Sequence, residues 1–268
     1  MRLPVLSADV EWSICLRDAA TAEVLVALEP DRVLRTASIG KLFLLIETAR
    51  QAEDGELDLE EELTRTAPDL VADSGLWPLM RRDAFTIDDL CWLVGGFSDN
   101  LATNVLIRRI GIDAMTATST SLGFTRSALL GPVRDERGPD DPWTLSAGCA
   151  SELSDLMARL HQRDIVSAEA SARVLRWVAA NADLSMVAAA FGLDPLAHAE
   201  PDRGVTLVNK TGTISTVRAD VGFVSGPAAE VAYAVIASWP DETPDDPRDR
   251  VLAQMAAIGA AIRIHIGA

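Results

Sequence analysis

The stretch VTLVNKTGTISTVRADVGFVSGPAAEVAYAVIASW, residues 205–239, decides the fold class of this 268-residue chain. β-Branched and aromatic residues are concentrated in three runs within it, and a Gly-Pro pair marks a tight turn before the third. The runs lie at 205–208, 219–225 and 231–239 and predict consecutive strands. From about residue 248 the sequence RDRVLAQMAAIGAAIRIHI is Ala-rich and apolar on several faces, which predicts a helix packed against that sheet.

The beginning of the chain carries a second group of strand-forming residues. DVEWSICL at 9–16 and EVLVAL at 23–28 are short β-prone runs on either side of a polar segment, which predicts a hairpin. Between the two ends, apolar residues recur at helical spacing. Sheet-forming ends around a helical middle predict that the two ends pair with each other, with an active site in the cleft between sheet and helices. The predicted fold class is α/β (α+β) in a single domain, 1–268, with an antiparallel α/β lobe from 1–35 and 200–268 and an all-helical lobe from 36–199.

Charge and hydropathy limit the partners of this chain. Asp and Glu number 40 against 24 Lys and Arg, so the formal net charge is -16 and most of the surface would repel a nucleic acid. Charged residues or prolines interrupt every apolar stretch before it reaches the ~20 residues of a membrane helix. No basic segment followed by an apolar run opens the sequence, so we expect a cytoplasmic protein unless a leader was removed. Without coiled-coil heptads or a long apolar run, a monomer is expected.

Cysteine and histidine give no metal-binding pattern. Cys15, Cys91 and Cys149 are far apart in apolar surroundings, which is typical of buried reduced thiols. The histidines are isolated from one another and from the cysteines, without the paired spacing of zinc ligands. We therefore expect neither a metal nor a cofactor.

Ser38-Ile39-Gly40-Lys41 places a hydroxyl and an amine three residues apart, where the sequence becomes helical. On a helix the two side chains share a face. A serine in the first turn lies where free backbone N–H groups favour a developing negative charge. Lys41 can act as a base if burial or a nearby cation lowers its pKa. A serine cap followed by an ordinary helical lysine explains the same pattern.

Ser98-Asp99-Asn100 follows a Gly-Gly pair and precedes the helical run NLATNVLI. Ser98 is a candidate relay that passes a proton to a leaving group, and Asn100 is a candidate contact for a substrate amide. An ordinary helix cap formed by Ser98 or Asp99 is the alternative.

Lys210-Thr211-Gly212 lies on or beside a predicted strand. Gly212 would let a substrate approach the backbone, Lys210 adds positive potential, and Thr211 offers a hydroxyl to a substrate carboxylate. Further candidates in the region are the Thr213 and Ser38 N–H groups for an oxyanion hole and Arg218 for a second carboxylate anchor.

The three motifs occur in the order S-x-x-K, S-D-N and K-T-G, and in that order they resemble the signature of class A β-lactamases and penicillin-binding proteins over nearly the whole chain. The resemblance implies a two-lobed fold and a serine β-lactamase that opens its cyclic amide substrate through an acyl-enzyme. Ser38 would be the nucleophile, Lys41 would activate it, and Ser98 would pass a proton to the lactam nitrogen. Residues implied to hold the substrate are Asn100, Lys210, Thr211 and Thr213. Trp77 is implied either as a gate at the rim or as a packing residue.

One class A motif is missing. The family's E-x-x-L-N loop supplies a Glu that positions the water for hydrolysis of the acyl-enzyme, but here only GPVRDERGPDDPWT lies between LGFTRSALL and LSAGCASEL. Glu136 is the first candidate to replace that base. Without such a base, acylation would proceed while deacylation slows.

Three functions therefore remain open from the sequence. The first is β-lactam hydrolysis, and the second is hydrolysis of another acyl substrate by a related esterase, amidase or peptidase. The third is a binder that β-lactams acylate and that releases them slowly. The expected partner in each case is a small acyl compound.

Overall fold

The main sheet has five antiparallel strands in the computed structural model, which describes residues 1–242 and 245–268. These strands are β1 (Glu11–Asp18), β2 (Val24–Leu28), β8 (Thr206–Ile214), β9 (Val217–Ser225) and β10 (Glu230–Ser238), in the spatial order β2-β1-β10-β9-β8. β1 pairs with β10 along its whole length. The predicted fold class is thus confirmed, as is the pairing of the two ends of the chain. The first of the three predicted carboxyl-terminal runs, 205–208, covers only the start of β8, which continues through the K-T-G motif.

Helices fill the chain between β2 and β8. They are α1 (Lys41–Glu53), α2 (Ile87–Phe97), α3 (Asn100–Ile110), α4 (Ile112–Ser121), α5 (Ala150–His161) and α6 (Ala168–Val178), and α7 (Arg248–His265) follows the last strand. Five short strands accompany them: β3 (Leu34–Arg35), β4 (Glu62–Thr64), β5 (Ala84–Thr86), β6 (Ala128–Leu129) and β7 (Ser146–Gly148). β7 lies between β3 and β6, and β4 pairs with β5. Within the described ranges, no helix is long and apolar enough to cross a membrane.

α7 packs one apolar stripe against the sheet. Val251, Met255, Ile258 and Ile262 recur at helical spacing, and all four are fully buried in a cluster with sheet residues. Burying each such side chain contributes about 1.5–3 kcal/mol. The helix that the Ala-rich tail predicts is therefore present, and its fully buried side chains form one stripe rather than several apolar faces.

α1 is the central helix of the other apolar cluster. Nearly every residue from Lys41 to Ala49 is buried, because α2, α3, α4 and α6 surround the helix. α5 covers β1, β9 and β10 on the inner face of the sheet. This packing fixes the start of α1, and with it Ser38, beside the edge strand β8.

Candidate active site

A cleft of about 790 Å³ opens where the start of α1, the end of α2 and the edge strand β8 meet. The predicted residues that line it are Ser38, Ser98, Thr211, Thr213 and Arg218. Lys41, Asn100 and Lys210 are buried beneath its surface. Sequence-distant motifs thus converge on one cavity.

Ser38 occupies a single 3-10 turn, Ala37–Gly40, directly before α1. Ala37 has a φ of 48°, in the left-handed region that costs a non-glycine residue about 1–2 kcal/mol. Gly212 of β8 lies against this turn. A Cβ built on Gly212 would be 2.2 Å from the Thr36 carbonyl oxygen and 3.2 Å from the Ser38 nitrogen. Glycine is therefore required for β8 to approach Ser38 this closely.

Lys41 is fully buried and binds the S-D-N segment. Its Nζ donates to the Ser98 carbonyl oxygen at 2.6 Å and to Asn100 Oδ1 at 2.8 Å, and it lies 3.3 Å from Ser98 Oγ. Burial lowers the pKa of Lys41 well below its usual 10.5, and the nearby Lys210 charge lowers it further, while Asp99 opposes both. Lowering this pKa increases the share of the neutral amine, which is the form that takes a proton from a hydroxyl.

The S-D-N segment joins α2 to α3 and is held by Asp99. Ser98 ends α2 in a left-handed conformation, with φ 54°. Asp99 Oδ1 accepts from the Ala102 N–H at 2.9 Å, which caps α3, and Asp99 Oδ2 accepts from the N–H groups of Leu76 and Trp77. The cap expected from the sequence is thus formed by Asp99. This leaves the Ser98 hydroxyl at the cleft.

Asn100 uses both ends of its amide within the protein. Oδ1 accepts from Lys41 at 2.8 Å, and Nδ2 donates to the Ala72 carbonyl oxygen at 3.1 Å. Asn100 therefore orients Lys41 and anchors the loop around Ala72.

Lys210 lies within β8 and is completely buried. Nζ donates to the Thr211 carbonyl oxygen at 2.9 Å. Burial lowers the pKa of Lys210 from 10.5 to about 8, against the opposing effect of Asp183 and Asp220. Lys210 therefore keeps a positive charge at neutral pH beside the cleft-lining Thr211.

Two arginines add positive charge to the same wall. Arg218 Nη1 donates to the carbonyl oxygens of Ile214 and Val217, both at 2.7 Å, and its guanidinium lies 5.8 Å from the Trp239 ring centroid. Burial lowers the pKa of Arg218, and Arg248, which also lines the cleft, acts in the same direction. The wall formed by β8, β9 and the start of α7 is therefore cationic.

A buried carboxyl supports this wall from behind. Asp220 of β9 lies opposite Thr211 and accepts hydrogen bonds from Asn209 Nδ2 at 2.9 Å and from Tyr233 Oη and the Ala188 N–H, both at 3.2 Å. Asn209 Oδ1 accepts in turn from Asn181 Nδ2 at 3.0 Å. A carboxylate can only accept hydrogen bonds, so Asp220 fixes which end of the Asn209 amide faces it. The Asn209 oxygen then fixes the orientation of Asn181, which lines the cleft.

The sequence model of a family described as the β-lactamase enzyme family matches residues 4–265. The chain belongs to this family. This family agrees with the resemblance that the three motifs carry. The matched range includes all the residues that line the cleft. A comparison with curated proteins finds no match.

Several solved structures share the fold of this chain. A β-lactamase from Sphaerobacter thermophilus has 24% identity and a TM-score of 0.82, covering 96% of this chain and 92% of the other. PBP-A, including a mutant solved as an acyl-enzyme complex with penicillin G, has 19% identity and a TM-score of 0.78 over 96% and 92% of the two chains. A mutant of the last common ancestor of Gram-negative bacteria class A β-lactamase has 21% identity and a TM-score of 0.79 over 97% and 96%. At these identities the neighbours establish a β-lactamase-like fold.

Trp77 does not stand at the rim of the β-lactamase-like cleft, so that part of the prediction is wrong. Its side chain is fully buried, Nε1 donates to the Arg82 carbonyl oxygen at 2.9 Å, and its ring packs edge-on against Phe85 at 5.4 Å. The packing alternative is the one observed. The partly exposed apolar side chains that line the cleft belong to Phe97 and Ile214.

The loop in place of the β-lactamase E-x-x-L-N segment brings no acid to the cleft. Glu136 is exposed and does not line it. The loop is instead fastened to the helical side, because the Val133 backbone exchanges two hydrogen bonds with the Asn104 amide and Asp135 Oδ1 accepts from the Ala72 N–H at 2.9 Å. The structure therefore does not bring Glu136 to Ser38.

Several cleft residues were not predicted from the β-lactamase motifs. They are Asp73, Phe97, Asn181, Asp183 and Arg248. Phe97 directly precedes the S-D-N motif, which is the one local signal available, and the others stand in segments without a motif. Over residues 1–242 and 245–268, no group of three His, Cys, Asp or Glu side chains could hold a metal ion.

Proposed function

We propose that this protein is a serine hydrolase that opens β-lactam rings through an acyl-enzyme on Ser38. The observation that carries the proposal is the contact of the buried, pKa-lowered Lys41 with Ser98 at the cleft that Ser38 also lines. A hydroxyl nucleophile, a neutral amine and a second hydroxyl together make a proton path from attacking to leaving atom.

In the acylation step, Lys41 Nζ takes the proton from Ser38 Oγ as Oγ bonds to the lactam carbonyl carbon. The carbonyl oxygen becomes an oxyanion, which the Ser38 and Thr213 N–H groups stabilise. The C–N bond then breaks, and Ser98 Oγ gives its proton to the lactam nitrogen while Lys41 restores it. Lys210, Thr211 and Arg218 hold the substrate carboxylate through charge and hydrogen bonds.

Hydrolysis of the acyl-enzyme needs a base that activates water. The acids among the described cleft residues are Asp73 and Asp183, and the Asp183 carboxylate already accepts from the Ser185 hydroxyl at 2.6 Å and the Ser185 N–H at 3.1 Å. This observation favours a second candidate, a penicillin-binding protein that acylates readily and deacylates slowly.

The test follows ring opening and covalent adducts together. The pure protein is mixed with a penicillin and a cephalosporin while absorbance and intact mass are recorded. Sustained ring opening supports the hydrolase, and a persistent stoichiometric mass increase supports the slowly released acyl-enzyme. Acyl transfer only from simple esters would point to the related esterases instead.

Two variants locate the nucleophile. Ser38→Ala is expected to abolish both the adduct and the turnover. Ser215→Ala removes another hydroxyl from the same cleft and serves as the matched control. Acylation that survives Ser38→Ala would refute the assignment of Ser38.

A further inference from the structure

The peptide bond between Ala37 and Ser38 is held in an unusual orientation. The φ of Ala37 is 48°, although alanine gains nothing from the left-handed region and glycine would occupy it freely. Ala37 is buried, and its carbonyl oxygen and the Ser38 N–H belong to the same planar unit. In a trans peptide these two groups point in opposite directions. Whatever binds the Ala37 oxygen therefore aims the Ser38 N–H.

Ser146 of β7 binds that oxygen. Its Oγ donates to the Ala37 carbonyl oxygen and lies 2.8 Å from Thr36 Oγ1. Because the single hydroxyl proton of Ser146 is given to Ala37, the Thr36 hydroxyl must be the donor in the second contact. The backbone adds a third link, from the Thr36 N–H to the Ser146 carbonyl oxygen at 3.1 Å. Both residues before Ser38 are thus fastened to Ser146.

The surroundings leave this contact little freedom. Ser146 is completely buried, and a Cβ built on Gly40, at the end of the Ser38 turn, would lie 2.4 Å from the Ser146 Cβ. The backbone of the Ser38 turn therefore packs directly against the Ser146 side chain of β7. The Ser146 hydroxyl therefore restrains the Thr36 side chain and the Ala37 backbone.

We infer that Ser146 is a positioning residue for the nucleophile: its hydroxyl holds the Ala37–Ser38 peptide so that the Ser38 N–H faces the reacting carbonyl oxygen. The inference rests on the proposed acylation of Ser38. Removing an oxyanion donor outright lowers turnover by about 10²–10³-fold, so loosening its orientation is expected to lower the acylation rate by about tenfold.

The experiment compares Ser146→Ala with Ser171→Ala. Ser171 is a matched control, since it is also completely buried, its hydroxyl also makes two hydrogen bonds, both with the Ile165 backbone, and it does not line the cleft. Single-turnover acylation by a penicillin yields the acylation rate constant and the dissociation constant separately. We expect Ser146→Ala to reduce the rate constant about tenfold at unchanged dissociation constant, and Ser171→Ala to leave both within about twofold.

A second background separates positioning from general damage. In Ala37→Gly the left-handed conformation no longer needs to be enforced, so the added loss from Ser146→Ala is expected to shrink below about threefold. Should Ser146→Ala not fold, Ser146→Cys keeps a weaker donor and is expected to give an intermediate acylation rate. Equal rates for Ser146→Ala and Ser171→Ala, or an undiminished loss in the glycine background, would overturn the inference.

Failure of the proposed function gives a different result. If penicillin acylates neither the unchanged protein nor any variant, the function is refuted. Crystal structures of the unchanged protein and Ser146→Ala then decide the inference. Departure of Ala37 from positive φ supports the positioning role, and an unchanged φ overturns it.

Discussion

Replacing Asp220 with asparagine is expected to remove a pH dependence of folding stability. Burial raises the pKa of Asp220 from 3.8 to about 6, and the nearby Asp183 charge acts in the same direction, although the hydrogen bonds donated by Asn209, Ala188 and Tyr233 oppose the shift. The folded state then binds more protons than the unfolded state between these two values. Stability must fall as the pH rises from about 3.8 to about 6 and stay lower above that.

The magnitude follows from the size of the pKa change. At about 1.4 kcal/mol per pH unit, the difference between 3.8 and about 6 corresponds to about 3 kcal/mol. About 2 kcal/mol of this falls between about pH 4 and about pH 7.5. Asp220→Asn has no titratable group at this position and therefore lacks this pH dependence. It loses an acceptor for the Ala188 N–H, which costs about 1–3 kcal/mol at every pH and so cancels when two pH values are compared.

The assay is urea unfolding of both proteins at about pH 4 and about pH 7.5. The stability advantage of the unchanged protein over Asp220→Asn should shrink by about 2 kcal/mol at the higher pH. Asp140→Asn, at an exposed carboxylate, is the control for general charge effects. An advantage that is constant or grows with pH would refute the reasoning, because it would mean that the ionised form of Asp220 is not penalised in the fold.

Two further predictions concern Lys210 and Trp77. With its pKa lowered to about 8, Lys210 loses its charge above that value, so kcat/KM for an anionic penicillin should fall above about pH 8. In Lys210→Arg, kcat/KM should not fall in that range, because arginine stays charged. Matching pH profiles of kcat/KM for the two proteins would contradict this. Trp77→Ala should lower the unfolding free energy by about 3–5 kcal/mol and leave the dissociation constant of a penicillin unchanged, as measured by urea unfolding and single-turnover acylation. A large rise in that constant at intact stability would restore the gate interpretation.

The sequence predicts well those features that local pattern controls. The β-prone runs and the Gly-Pro turn of 205–239 locate the last three strands, and the Ala-rich apolar tail locates α7. The S-x-x-K spacing places Ser38 just before Lys41 at the start of a buried helix, because three residues span one helical turn whatever surrounds them.

Features that depend on partners far along the chain escape the sequence. Asp220 stands in an apolar strand run without any local sign that Asn209 will donate a hydrogen bond to it, or that Asn181 will in turn donate one to Asn209. The sequence does not distinguish a Trp77 that gates a cleft from one that packs in the core. Its burial depends on Phe85, which packs against its ring, and on Asp99, which accepts from its backbone N–H. Ser146 likewise reads as an ordinary strand residue until Ala37 is brought to it.

The pairing of β1 with β10 has a consequence for synthesis of the chain. A ribosome releases β1 early, but residues 19–229 must follow before its neighbour β10 exists. Closing so long a loop is entropically costly and slow, whereas the contacts inside the helical segment are local. During translation the first strand therefore has only β2 to pair with, and the edge that β10 covers in the folded protein stays unpaired until the carboxyl-terminal hairpin emerges. For this chain, assembly of the sheet is the natural point at which a chaperone or an aggregation partner competes with folding.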